Sequence, residues 1–261
     1  MDISCAIEWG SSTRDVGQGM ATIEGCQFVG ITDTAIRYGN RSSILTVEGC
    51  RFDGCERAMR VWNCDRVVFN RCFLNKKPLT ADEATAFQLE GGTFDARNSI
   101  FITTGQNTGV ETAWFSMKPV QVNSHYGICI ADCRFSDESN GTTLINWYVP
   151  GDVTFPAIPE GITIRDSYLE GGLSGVSGQD QSIVRLFECP NYINMRNNQG
   201  FVGTATVVWA DGVDPASKVW TDQVNSPLHI DISGNCGGGG PASGHIPNGL
   251  PPGFEGKANL R

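Results

Sequence analysis

The stretch LTVEGCRFDGCERAMRV, residues 45–61, alternates apolar and polar side chains, breaks at a glycine, and alternates again. Period-two alternation marks a strand with one buried face. Inward side chains are therefore expected at Leu45, Val47, Cys50 and Phe52, with Gly49 at the break. Cys50 reads at first as half of a disulfide or as a metal ligand. Which it is depends on whether the pattern occurs once.

The same offsets recur along the chain. They pick out Ala21, Ile23, Cys26 and Phe28 before this stretch, then Val67, Phe69, Cys72 and Leu74 after it. Phe94, Ala96, Ser99 and Phe101 follow, then Ile128, Ile130, Cys133 and Phe135, then Ile162, Ile164, Ser167 and Leu169. Two degenerate copies close the series: Ile193, Met195, Asn198, Gly200 and Ile230, Ile232, Asn235, Gly237. Successive copies start 24, 22, 27, 34, 34, 31 and 37 residues apart. A unit of that length means a repeat architecture, here one made of strands.

The residue at each break is Gly25, Gly49, Arg71, Asn98, Asp132, Asp166, Asn197 or Gly234. All but Arg71 are types that tolerate a left-handed backbone, so a sharp bend is expected at one place in every coil. The residue after the bend is small: Cys, Ser or Asn. Coils stacked about 4.8 Å apart would superpose these side chains in a tight inner corner. Cys50 is then a rung of a core ladder, where a free thiol acts as a small hydrophobe.

A second strand echoes in each coil, at Ile36–Arg37–Tyr38, Met59–Arg60–Val61, Phe87–Gln88–Leu89 and Val184–Arg185–Leu186, and a weaker third-strand signal falls at Trp114, Ile145 and Val208, giving three strands per coil. Strands around one recurrent tight bend resemble the right-handed parallel β-helix of the pectin-lyase-like superfamily. That superfamily includes pectate lyases, polygalacturonases, alginate epimerases and phage tailspikes; in character the chain is most similar to phage tailspike and virion β-helix proteins. The resemblance covers roughly residues 20–237. It implies an all-β, single-stranded right-handed solenoid of about eight coils, and it speaks for fold more than for function.

The expected organisation is one β-helix over residues 1–237 followed by a Gly/Pro-rich, non-repeat arm over 238–261. A net charge of −9 argues against a nucleic-acid partner. No unbroken apolar run is long enough for a membrane helix. The opening MDISCAIEWG has no basic start or long apolar core, so no signal peptide is expected, and the ten cysteines are expected to stay reduced. Cys129 and Cys133 do not make a zinc site, because one points outward and the other inward, and His125, His229 and His245 add no ligand-spaced cluster.

Candidate binding residues lie beside the second strand. Asp33, Glu56 and Glu111 form an acidic column, with Asp82 and Glu83 near its register, and Ala35, Ala58, Ala86 and Ala113 run beside it. Arg37, Arg60, Gln88 and Arg185 form a partly basic column. The resemblance implies that this face holds the saccharide cleft in the lyases. The bland alternative is a solvated surface whose charges neutralise one another, each pair contributing about 0–1 kcal/mol. No coil concentrates the two carboxylates that glycoside hydrolysis requires. A further outward column, Gln27, Arg51, Phe73, Ile100, Arg134, Tyr168 and Gln199, contains the adjacent apolar pair Phe73 and Ile100. Longer excursions after residue 101 carry Trp114, Trp147, Trp209 and Trp220, as lids or as sugar-stacking aromatics.

Two functions follow. The first is a structural or receptor-facing virion protein, a tail appendage or capsid decoration, located in the virion and forming a homo-oligomer, most simply a trimer. It would contact other virion proteins and host surface polysaccharide, with no cofactor or metal. The alternative is a polysaccharide lyase or other enzyme on an acidic polysaccharide, in which the carboxylates would hold Ca²⁺.

Overall fold

Inward side chains superpose from coil to coil. Leu45, Val67, Phe94, Ile128, Ile162 and Ile193 pair in succession down one column, and on another sheet Phe52 pairs with Leu74. The computed structural model describes residues 5–10, 19–39, 43–62, 64–81, 84–103, 105, 112–118, 126–137, 143–149, 161–171, 182–188, 190, 192–201, 205–210, 229–237, 240–241 and 259–260. Among these there is no helix. Three sheets of 8, 9 and 9 strands take every third strand of the chain in order, apart from the last short pairings. Sheet 1 begins with Cys5–Gly10, sheet 2 with Gly19–Glu24 and sheet 3 with Gln27–Val29. Neighbouring strands pair in parallel, the connectivity of a β-solenoid.

The corner between sheets 2 and 3 is the bend anticipated from the repeat. All eight of its residues, Arg71 included, have φ between 48° and 67°. A left-handed residue with a side chain costs about 1–2 kcal/mol. Arg71 offsets part of this by ion pairing with Glu48 of the preceding coil. Asn98 donates to Asn70, which donates in turn to Glu48, so the outside of the corner carries its own side-chain chain.

Inside the corner, the ladder residues do more than fill space, which corrects the small-hydrophobe reading of Cys50. The backbone N–H of Cys50 donates to Cys72 Sγ at 3.4 Å, and that of Cys72 to Ser99 Oγ at 3.1 Å. The Cys133 N–H donates to Ser167 Oγ, the Ser167 N–H to Asn198 Oδ1 and the Asn198 N–H to Asn235 Oδ1, at 2.9–3.1 Å. Five inward corner amides are thus met by the γ or δ heteroatom one coil on. Alanine or valine would fill the volume and leave the amide unmet. Cys26, on the first rung, is exposed, whereas Cys50, Cys72 and Cys133 are buried.

The core is an aromatic stack. Phe28 lies on Phe52 with ring centroids 4.7 Å apart, and Phe101 on Phe135 at 4.4 Å, nearly coplanar. Phe87 stacks on Phe115 at 4.8 Å from the sheet 1 side. Offset-stacked and edge-on pairs add about 0.5–1.5 kcal/mol each beyond area burial. Trp114 and Trp147 belong to this core, not to loops: both are fully buried, on the strands Ala113–Met117 and Thr143–Trp147, and the Trp147 indole donates to Val149 O. Trp209 lies on the strand Ala205–Trp209, and Trp220 is outside the described residues.

Trp114, Ile145 and Val208, expected on a third strand, lie on sheet 1, the sheet of the second strand. Phe115, not Trp114, pairs with Phe87, and Val207, not Val208, pairs with Val184. Ala113 accordingly pairs with Thr85, and the alanine column ends at Ala86. Of the arm over 238–261, Asn259–Leu260 pairs in parallel with His229–Ser233 and Gly240–Pro241 turns back on Cys236–Gly237; the rest lies outside the described residues.

Ser99→Ala should leave the Cys72 amide without an acceptor and destabilise the fold by about 1–3 kcal/mol, while Ser99→Cys should cost less. Urea denaturation of the two variants measures the difference. Burial pushes the Cys72 and Cys133 thiols up to about 12. A folded-state value above that of the unfolded chain means stability is full below the unfolded value, about 8.5, and is lost as pH rises towards 12. Cys72→Ser should flatten that alkaline limb, as followed by denaturation at stepped pH.

Candidate functional site

Sheet 1 turns one side chain in two away from the core. Its outward column reads Glu8, Arg37, Arg60, Gln88, Ser116, Asn146 and Arg185, rung by rung in register. The structure therefore unites Arg37, Arg60, Gln88 and Arg185 on one column. It treats them differently: Arg37 and Arg60 are partly exposed, whereas Arg185 is only 3% exposed. Ser116 and Asn146, between them, are buried as well.

The acidic column does not persist. Counting back three residues from the paired Ile36, Met59, Phe87 and Phe115 gives Asp33, Glu56, Ala84 and Thr112. Glu111, Asp82 and Glu83 lie outside the described residues. Asp33 accepts hydrogen bonds from Thr34 Oγ1 at 2.8 Å and from Arg37, and Arg57 stands 3.6 Å away. Burial alone would raise its pKa; Thr34 and the two arginines outweigh that, so its carboxyl sits below the usual range. Glu56 is exposed.

A second outward column, two residues further along each strand, escaped the sequence reading. Trp62 pairs with Gly39, and backbone hydrogen bonds carry the column on through Glu90, Lys118, Tyr148 and Phe187. Glu90 is 7% exposed and accepts from Arg60 Nε at 3.0 Å, from Arg60 Nη2 at 3.3 Å and from the Gln88 amide. Tyr148 stacks on Phe187 at 4.0 Å, with Lys118 Nζ 5.1 Å from the Tyr148 ring. The signal was available: a residue two places beyond an outward one faces outward too.

Trp62 lies across Gly39, whose missing side chain makes room, because a Cβ there would fall within the indole. Two donors on this face, Arg37 Nε and Trp62 Nε1, are buried with no hydrogen-bond partner. Of the carboxylates on this face, Asp33 and Glu90 are engaged by arginines, Glu8 stands 3.8 Å from Arg37, and Glu56 is exposed. The face can accept oxygen atoms from a ligand more readily than it can remove a proton from one.

Sheet 2 carries a separate charged cluster. Asp95, buried on the outer face, is ion-paired with Arg66 and with Arg97 at 3.1 Å. Burial opposes its ionisation, but the two guanidinium groups prevail and hold its carboxyl below the ordinary range. Cys129 follows Asp95 in the column and is pushed up to about 11, first by burial and then by the Asp95 charge. A protonated thiol is neither a nucleophile nor a metal ligand. The eight cysteines whose side chains are described are all free, and among the described residues no three His, Cys, Asp or Glu side chains are grouped to hold a metal. No described helix is long and apolar enough to cross a membrane.

No protein-family model matches the chain, and no curated protein and no solved structure matches it either.

Because the folded-state pKa of Asp95 lies below the unfolded value of about 3.9, its contribution is fully present above that value and is lost as pH falls through the folded one. Asp95→Asn should lower stability at neutral pH and shrink the acid-induced loss below about pH 4. Urea midpoints of the parent and the variant at pH 7 and pH 3 check this.

Proposed function

We propose that the chain is a right-handed parallel β-helix of about eight coils, serving as a structural, receptor-facing virion protein that binds host surface glycan on the outer face of sheet 1 without cleaving it. The observation that carries this reading is the state of that face. Asp33 and Glu90 are occupied by arginines, while Arg37 Nε and Trp62 Nε1 are buried donors lacking acceptors. A saccharide that draws the Arg37 and Trp62 side chains outward would supply those acceptors with its hydroxyl or carboxylate oxygens. An unmet buried donor costs about 1–3 kcal/mol, so meeting two of them is a substantial share of a weak saccharide affinity.

The virion setting rests on the resemblance of the repeat to phage β-helices and on thiols kept free. In this reading the protein is a tail appendage or capsid decoration, assembled as a homotrimer with other virion proteins at its ends, and the Gly/Pro-rich segment after residue 237 is an arm beyond the solenoid. A lyase acting on an acidic polysaccharide is the second reading, favoured by Arg37 and Arg60 standing in register on one face. It would require Asp33 or Glu90 to release its arginine, or Glu8 or Glu56 to serve instead, for Ca²⁺ or for proton abstraction.

Incubation with polygalacturonate, alginate and bacterial capsular polysaccharides, with and without Ca²⁺, separates the two. Retention of at least one polymer without new reducing ends or unsaturated products is expected. Trp62→Ala should weaken that retention about tenfold, the equivalent of about 1.4 kcal/mol. Depolymerisation lost in Arg37→Ala or Arg60→Ala would establish the lyase instead. Sedimentation equilibrium tests the trimer.

A further inference from the structure

Sheet 3 presents a second outward face that the proposed function does not use. Gln27, Arg51, Phe73, Ile100, Arg134, Tyr168 and Gln199 pair rung on rung along it. The Arg51 guanidinium carbon lies 4.8 Å from the Phe73 ring centroid, and that of Arg134 lies 5.5 Å from Tyr168. Ile100, between the two pairs, is 42% exposed and Tyr168 is 40% exposed. Two residues to the side, Asp53, Asn75, Ile102 and Ser136 pair in the same order. Asp53 accepts from Arg51 at 2.9 Å and from Asn75 at 2.9 Å. Guanidinium groups thus flank the adjacent apolar pair Phe73 and Ile100, Tyr168 follows Arg134, and no carboxylate lies on the column itself.

The dimensions decide what class of partner this strip can take. Two outward columns stand about 7 Å apart, and the rungs from Arg51 to Tyr168 span about 19 Å at about 4.8 Å each. A stable protein interface needs roughly 800 Å² per partner, several times this footprint. A peptide strand adds to a sheet edge, where backbone groups are unpaired, and this strip lies on a face. A polyphosphate chain would meet the field of a molecule of net charge −9. A narrow ligand with apolar C–H surface and many oxygen acceptors remains.

We infer that the Arg51–Tyr168 strip of sheet 3 is a binding site for a linear oligosaccharide lying along the solenoid axis. Its ring C–H groups rest on Phe73, Ile100 and Tyr168, and its oxygens accept from Arg51, Arg134 and Asn75. The inference deepens the reading of the chain as a glycan-binding protein and is independent of the sheet 1 face.

The test uses the intact chain, with cellohexaose, hexagalacturonate and an array of purified bacterial surface polysaccharides as probes. Ile100→Thr and Tyr168→Thr keep strand propensity while removing the apolar contact, and unchanged urea midpoints show that each variant is folded. Each is expected to weaken binding at least about fivefold, and the double variant to remove this site, leaving only the sheet 1 binding that Trp62→Ala weakens. Loss in Trp62→Ala alone, with the sheet 3 variants binding normally, overturns this inference and leaves the sheet 1 reading standing. Loss in the sheet 3 variants alone does the reverse. No binding to any probe overturns both, and conversion of an oligomer to a monomer by the sheet 3 variants would make the strip a protein contact and overturn the inference as well.

Discussion

The amide just inside the corner between sheets 2 and 3 governs the rest of the structure. A left-handed residue turns the chain there within one residue, and the next N–H points into the protein, away from the strand ladders. A buried amide without an acceptor costs about as much as a whole aromatic pair contributes. Cys72 Sγ, Ser99 Oγ, Ser167 Oγ, Asn198 Oδ1 and Asn235 Oδ1 meet these amides one coil at a time. The acceptor always comes from the following coil, so the corner of one coil is complete only when the next has stacked on it. That directional dependence locks the coils in register, and the phenylalanine stacks and outward columns inherit it.

The change from thiol to hydroxyl to carboxamide along the ladder follows from the same requirement. Cysteine and serine reach the amide from a short side chain. Asn198 and Asn235 also donate, to Ile164 O and Met195 O at 2.8 Å and 2.9 Å, so each grips the preceding coil at two points. The early coils rely on aromatic packing: Phe52, Phe69, Phe87, Phe101, Phe115 and Phe135 are all fully buried. Towards the end of the series the inward seven-position falls to Gly200, and pairing there is irregular. The carboxamide ladder strengthens the solenoid where its apolar core thins.

On the outside, the same register converts scattered charges into ordered faces. Glu90 is nearly buried because Arg60 stands one rung before it and Gln88 beside it. Asp95 is enclosed in the same way by Arg66 and Arg97. Engaged carboxylates stabilise a folded surface and cannot readily serve as catalytic bases. Sheet 3, with cations laid against aromatic rings, is the less charged of the two outward surfaces.

The strands, the tight bend and the column of Arg37, Arg60, Gln88 and Arg185 were all legible in the sequence. Period-two alternation is a local property, and a left-handed bend restricts residue type at a single position. Arg71, the residue that departs from that restriction, is accommodated by Glu48 from another coil, which no local pattern reports. The phase of a strand after a long insertion was not legible. Trp114 and Phe115 are both apolar and adjacent, and only hydrogen bonding to Phe87 and its neighbours selects which continues the inward column. The burial of Arg185, the enclosure of Glu90 and the unmet donors of Arg37 and Trp62 likewise depend on groups brought together from different coils. Sequence determined how each coil folds back on itself, because those constraints act over a few bonds. Tertiary structure decided which side chains meet, because that depends on how coils of unequal length come into register.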